Sequence, residues 1–385
     1  MKSKTNNNST KRNIKDTFLA ACESSNLINV KDCLVRGVDV NCMSEDGKWF
    51  GLKYAVSANH EELLELLLSN PNIDVNTGDS NGETALMIAC KKGFEKIAKR
   101  LLEVPDICVN GRSKDGNWFA LKYAVSKDNL KILNLLLSHH KIDVNNRDAY
   151  NFTALMLSCY EGHSEITKRL IDVPHVNVNC KSLFGNTAAM LAVIKNQVQC
   201  LKVLTKCDQV DWNIHNDYEL SASMITVWGR REESLSILTT VQSINWNDKN
   251  SDGDSPFILA LKHQKSAIAQ ILLSIPNLNI DVRKLDNVYE RYWSFQSRNQ
   301  VKIMSQRSVL SGAVEECRMY VAVAMKQNRD TGIQENVTEL VYALKNNLDN
   351  IAKVLILATS NLDVLCLVLH LSQQGIVCPL TLSMW

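Results

Sequence analysis

No excess of charge marks this chain. Its 43 Lys and Arg nearly balance 41 Asp and Glu over 385 residues, leaving a net charge of +2. That balance argues against a dedicated nucleic-acid wrapper and against an acidic disordered chain. The twelve cysteines, from Cys22 to Cys378, include no C-x-x-C pair. A zinc site needs clustered ligands at short spacing, so these read as reduced core thiols in a reducing compartment. The N-terminal MKSKTNNNSTKRNIK has no apolar h-region and does not read as a signal peptide. The most apolar stretch, 351–371, is broken by Lys353, Asn361, Asp363 and His370. A spanning helix needs about 20 nearly uninterrupted apolar residues, so no membrane span is expected. The expected compartment is the cytoplasm, with the nucleus second. The Asn-x-Thr at Asn151 is not expected to be glycosylated there.

Catalytic signatures are missing too. Nothing matches the G-x-x-x-x-G-K-S/T phosphate loop, H-E-x-x-H or G-x-S-x-G. His139 and His140 are adjacent, and adjacent residues do not share a helix face. Carboxylates are spread at solvent-facing spacing, so no acid/base pair can be named. The chain is expected to be a non-enzyme with no catalytic residue, cofactor or metal.

What is present is a period. A short mark ends at Asn41, Asn76, Asn110, Asn145, Asn179, Asn213 and Asn247, with gaps of 35, 34, 35, 34, 34 and 34. An eighth mark at 280–282 lacks its Asn. Each period holds a turn with Gly or Asn, such as Asn81-Gly82. A short apolar helix follows, such as ALMIAC at 85–90, then a polar break at Lys91-Lys92-Gly93. A second, amphipathic helix comes next, such as FEKIAKRLL at 94–102, with Ile97, Ala98, Leu101 and Leu102 at helical spacing. One such pair cannot bury its apolar face alone, but stacked copies can.

These marks resemble the ankyrin repeat. The best copies are DSNGETALMIACKKGFEKIAKRLL (79–102), NFTALMLSCYEGHSEITKRLI (151–171) and SDGDSPFILA (251–260). Asp79, Gly82, Thr84, Leu86, Ala89 and Gly93 fit the family pattern in one copy, and Gly162-His163 supplies its G-H pair in another. The resemblance implies an all-α helical repeat solenoid with hairpin-like loops. It divides the chain into a basic, Asn-rich tail (1–15) and an array (16–284). The array comprises a cap (16–44) and repeats at 45–78, 79–112, 113–147, 148–181, 182–215, 216–250 and 251–284. A partly helical insert (285–335), a degenerate last repeat (336–365) and a tail or cap (366–385) follow. In the 216–250 copy Glu219 replaces the turn Gly and Thr226 the small Ala, so it should be the least well packed of the central repeats.

Two copies share WFGLKYAVS (49–57) and WFALKYAVS (118–126), 69 residues apart. Duplication of a two-repeat unit accounts for the pair. Each contains one extra turn residue at or near Trp49 and Trp118. An exposed Trp there would be a binding anchor, and a Trp folded against the next loop would be a spacer. Phe119 and Tyr123 should help fill the stack. Lys53 and Lys122 occupy the place of a family His that bonds across loops. Lys cannot accept a hydrogen bond, which weakens that brace.

The family resemblance implies protein binding through loop tips and a concave first-helix face. The residues after the small-Ala pair should line that face: Lys91, Lys92, Lys127, Tyr160, Ile194, Lys195, Trp228 and Lys262. Aromatic anchors with a charged surround are what interface hot spots look like. The expected function is therefore a scaffold or adaptor for protein partners, acting as a monomer. Two alternatives stand beside it. One is an anionic-ligand or nucleic-acid site along the Lys stripe; the other is a substrate adaptor of a ubiquitin ligase. Asn76 and Asn145 also resemble the substrate pattern of the asparaginyl hydroxylase of ankyrin-repeat proteins. An Asn bracing its own loop explains the same two residues.

Overall fold

The computed structural model describes residues 14–229, 231–263, 265–275 and Leu278. The segments 285–335, 336–365 and 366–385 lie outside the described residues, as do residues 1–13. The chain divides after Tyr218 into two compact units. The first contains six helix pairs: α1 (14–23) with α2 (Leu27–Val35), α3 (Gly51–Ser57) with α4 (Glu61–Leu68), α5 (Ala85–Lys92) with α6 (Glu95–Leu102), α7 (Ala120–Ser126) with α8 (Leu130–Leu137), α9 (Ala154–Glu161) with α10 (Ser164–Ile171), and α11 (Ala188–Lys195) with α12 (Val198–Leu204). The second contains α13 (Ala222–Gly229) with α14 (Glu232–Leu238), and α15 (Pro256–Lys262) with α16 (Ser266–Leu273). Residues 14 and 15, assigned above to the tail, belong to α1. Ile14 stands one turn before the buried Phe18, so the apolar face of the helix starts earlier than the tail boundary.

Local sequence fixes the first helices. Thr84, Thr153 and Thr187 cap α5, α9 and α11 by accepting from the amides of Met87, Met156 and Met190. Gly93, Gly162 and Asn196 end them in the left-handed region. Residues 85–90, 154–159 and 188–193 are all buried. A helix buried all round must be covered on every side. Accordingly α5 packs on α3, α6 and α7, and α9 on α7, α10 and α11. The second helices bury one stripe only. In α6, Ile97, Ala98 and Leu101 point inward, while Lys96 and Arg100 pair with Glu61 and Glu65 of the preceding repeat.

The recurrent Asn is a bracket between repeats. Asn76 donates to Asp106 O (3.0 Å) and accepts from Cys108 N (2.7 Å). Asn145 does the same with His175 O (2.9 Å) and Asn177 N (2.7 Å). Asn41, Asn110 and Asn179 repeat the arrangement. Satisfying a loop amide and carbonyl with one side chain explains why the Asn returns at each period.

The hairpins show where the extra residue sits. Asp79 N donates to Glu83 O, and Glu83 N donates back to Asp79 Oδ1, closing a turn over four positions. Ser44 closes on Trp49, and Ser113 on Trp118, over five positions. The tips are chained by backbone bonds, including Ala149 N to Gly116 O (3.0 Å), Leu183 N to Tyr150 O (2.8 Å) and Asp217 N to Phe184 O (3.2 Å). Gly185 has φ 72°, and a Cβ there would lie 2.6 Å from Asp217 N. Only glycine allows that approach.

The 216–250 copy, expected to pack least well, accommodates both of its departures from the pattern. Glu219 takes the turn glycine's place with φ 56°. Thr226 is fully buried, and its hydroxyl donates to Ser223 O at 2.6 Å. That bond meets the polar group introduced in place of Ala. Residues 222–227 are all buried, as in the regular copies.

Candidate protein-binding surface

The ends of the first helices in the first unit carry six of the expected residues. Lys91 and Lys92 are exposed at the end of α5. Lys91 Nζ donates to Glu83 Oε1 at 2.8 Å and lies 5.4 Å from the Tyr123 ring centre. The Tyr123 hydroxyl donates to the same carboxylate. Burial, and then Glu83, push the Tyr123 phenol up and keep it neutral. Lys92 Nζ donates to Ser57 O at 3.2 Å. Lys127 is exposed. Tyr160, half-buried at the end of α9, meets Phe152 edge-on at 6.3 Å. Lys195, from the neighbouring α11, holds its ammonium 4.2 Å above the Tyr160 ring. Ile194 beside it is half-buried.

Trp228 and Lys262 belong to the second unit. Trp228 is 58% exposed and tilts against His263 at 5.0 Å. Lys262 is ion-paired with the buried Asp254. The Lys stripe is therefore weaker than the sequence suggests: Glu83 and Asp254 compensate Lys91 and Lys262.

Trp49 and Trp118 lie back on their own repeats. Trp49 stacks on Tyr54 (4.6 Å, 17° between planes) and Trp118 on Tyr123 (4.5 Å, 10°), each within its own repeat. Lys53 and Lys122 place their ammonium groups 4.9 and 4.8 Å from the indole centres. Both Trp are half-buried. The longer turn folds the indole back onto its own helix, over the lysine that reaches the next hairpin.

The inter-loop brace expected to be weak is also present, with its polarity reversed. Lys53 donates to Asp79 Oδ2 of the next hairpin at 2.6 Å, and Lys122 donates to Asp148. Asp79 also accepts from the amides of Asn81 and Glu83. Its burial favours the neutral acid, but Lys53 and these amides outweigh burial and hold the carboxyl below its ordinary value. A depressed folded-state pKa stabilises the fold above the ordinary carboxylate range and loses that contribution as pH falls through the folded value. Asp79→Asn should therefore flatten the acid limb of a stability–pH curve below about pH 4. An acid limb identical to that of the unmodified protein would refute this assignment.

Cys90 and Cys159 are buried, as expected of core thiols. Burial pushes the Cys90 thiol up to about 12. Among the described residues, no group of three or more His, Cys, Asp or Glu could hold a metal ion. No helix among them is long and apolar enough to cross a membrane.

The model for "Ankyrin repeats (3 copies)" matches residues 17–112, 52–148 and 121–216. Those matches run over more than half of the chain. The chain is an ankyrin-repeat protein. It is 39% identical over 106 residues to "Protein fem-1 homolog A-like" of Mus musculus, covering 27% of this chain and 15% of that protein. It is 46% identical over 52 residues to "Ankyrin repeat domain-containing protein 29" of Danio rerio, covering 14% and 17%. The chain thus spans about a sixth of the length of these curated relatives. The solved ankyrin repeat domain of Bcl-3 superposes with a TM-score of 0.52 at 20% identity, covering 58% of this chain and 97% of that one. The all-α ankyrin-repeat fold read from the sequence is the fold observed. Ankyrin repeats generally mediate protein–protein contacts.

One signal escaped the sequence reading. Tyr150, Phe184 and Tyr218, 34 residues apart, occupy the same place in three successive hairpins and are 54%, 52% and 65% exposed. Each immediately precedes the turn residue with positive φ, at Asn151, Gly185 and Glu219. Aligning the turns would have found them.

Proposed function

We propose that this ankyrin-repeat chain is a non-catalytic scaffold or adaptor that grips a protein partner through the ends of α9 and α11. The observation that carries this reading is the Tyr160–Lys195 pair. Two neighbouring repeats supply a ring and a cation already seated 4.2 Å apart, with Ile194 beside them. A pair organised in the free protein loses little rotamer freedom on binding. The reading of a Lys stripe for anionic ligands is less favoured, because carboxylates of the chain itself compensate two of its five lysines.

The test is affinity capture from the source cells with the full chain against a Tyr160→Ala/Lys195→Ala variant. Removing an aromatic anchor and its cation should lower partner recovery about tenfold, with the variant still folded by circular dichroism. Equal recovery of the same partners by both proteins would sink the proposal.

A further inference from the structure

The hairpin edge of the first unit carries a second pattern. The residue leading into four successive hairpins is Arg112, Arg147, Lys181 and His215, each one position before the turn-closing Ser113, Asp148, Ser182 and Asn216. The two central cations and the exposed aromatics keep one register: Arg147 precedes Tyr150 by three residues, and Lys181 precedes Phe184 by three.

These cations, like Lys92, bond to neutral acceptors rather than to carboxylates. Lys53, Lys91, Lys96, Arg100, Lys122 and Lys131 each pair with a carboxylate. Arg112 instead donates to Asn146 Oδ1 (3.1 and 2.8 Å), Arg147 to Cys180 Sγ (3.3 Å) and Lys181 to His215 O (2.8 Å). All three acceptors are uncharged. The bonds fix the side chains in place and leave the charge uncompensated. Asp148, the carboxylate in the middle of this edge, is already taken by Lys122.

The backbone that carries the aromatics is fixed as well. The backbone bonds from Leu183 to Tyr150 and from Asp217 to Phe184 join the three tips into one ladder. Their rings remain more than half exposed, and Leu183, 52% exposed, stands among them. Exposed large apolar groups gathered on one edge mark an interaction site.

We infer that this edge docks an extended acidic segment of a partner protein. Its Asp or Glu side chains face Arg112, Arg147 and Lys181, and its apolar side chains cover Tyr150, Phe184 and Tyr218. A cation row beside an aromatic row could also suit single-stranded nucleic acid. One observation favours the peptide: Leu183, 52% exposed among the rings, offers no face for a base to stack on. The inference rests on the protein-binding reading but uses a different edge from Tyr160 and Lys195.

The experiment selects random peptides of about twelve residues, displayed on phage, against the full chain. Selected sequences should be enriched in Asp and Glu together with aliphatic or aromatic residues. The strongest peptide, made synthetically, should bind about tenfold more weakly to a Tyr150→Ser/Phe184→Ser/Tyr218→Ser variant. It should also lose affinity for an Arg147→Gln/Lys181→Gln variant and with added salt. Because the tip side chains are exposed, their replacement should leave the thermal midpoint unmoved. Failure to enrich any motif, enrichment of basic peptides, or tighter binding of an oligouridylate than of the peptide would overturn the inference. If the Tyr160→Ala/Lys195→Ala variant loses the peptide while the hairpin variant keeps it, the proposed function stands and this inference falls. The reverse outcome supports the hairpin edge alone.

Discussion

Replacing Asp148 with alanine should destabilise the protein by about 3–5 kcal/mol, the range for breaking a buried ion pair by removing one partner. Asp148 and Lys122 are both buried. The alanine variant leaves the Lys122 ammonium with only Asn117 O (2.8 Å) and the Trp118 ring for company. It also orphans the amides of Tyr150 and Phe152, which both donate to Asp148 Oδ1 at 2.8 Å. Asp148→Asn can keep one oxygen on those amides and should cost less. Lys122→Met should cost less again, because Asp148 then retains two amide donors. In a double-mutant cycle, Lys122→Met with Asp148→Asn should cost less than the sum of the single changes, since neither buried charge is left alone. Urea unfolding followed by circular dichroism measures all four proteins. An Asp148→Ala variant within about 1 kcal/mol of the unmodified chain would refute the brace.

This pair also shows where sequence reading stopped. The repeats were legible because their physics recurs at fixed spacing. An Asn brackets successive loops, a Thr caps three of the first helices, and a residue with positive φ, usually Gly, turns the hairpins. Those roles are local, and they left marks 34 or 35 residues apart. The brace is different. It joins Lys122 to a residue 26 positions later, in the next repeat, and its chemistry depends on which end carries the donor. Reading Lys122 as a failed acceptor was sound chemistry applied to one end only. The acceptor had moved to Asp148, just as it had moved to Asp79 opposite Lys53.

The candidate surfaces were legible in part for the same reason. Helical spacing put Tyr160, Ile194 and Lys195 at the open ends of their helices, because period alone fixes which residues follow the buried run. Period says nothing of charge compensation. Glu83 quiets Lys91 and Asp254 quiets Lys262, while Arg147 and Lys181 meet only neutral acceptors. Contacts inside a repeat quiet Lys91 and Lys262, whereas bonds to the next repeat hold Arg147 and Lys181 on neutral acceptors.

Phe119→Ala should cost about 3–5 kcal/mol, the range for truncating a large buried aromatic, whereas Trp118→Ala should cost about 1–2.5 kcal/mol. Phe119 is among the largest fully buried side chains, at 1% exposure. It sits at the N-cap of α7 and makes no side-chain capping bond, so its loss is a packing loss alone. Trp118 is half-buried. It gives up one stacked contact with Tyr123, worth about 0.5–1.5 kcal/mol, and one cation–π contact with Lys122, worth about 0.5–1 kcal/mol. The two adjacent aromatics of the duplicated stretch thus have separable duties: Phe119 fills the stack and Trp118 covers the brace. The same order should hold for Phe50 over Trp49, since Phe50 is likewise buried and Trp49 likewise stacked on its own helix. Chemical denaturation of the four alanine variants measures both differences. Equal losses at Trp118 and Phe119 would mean that the indole carries core packing itself, and would refute this division of roles.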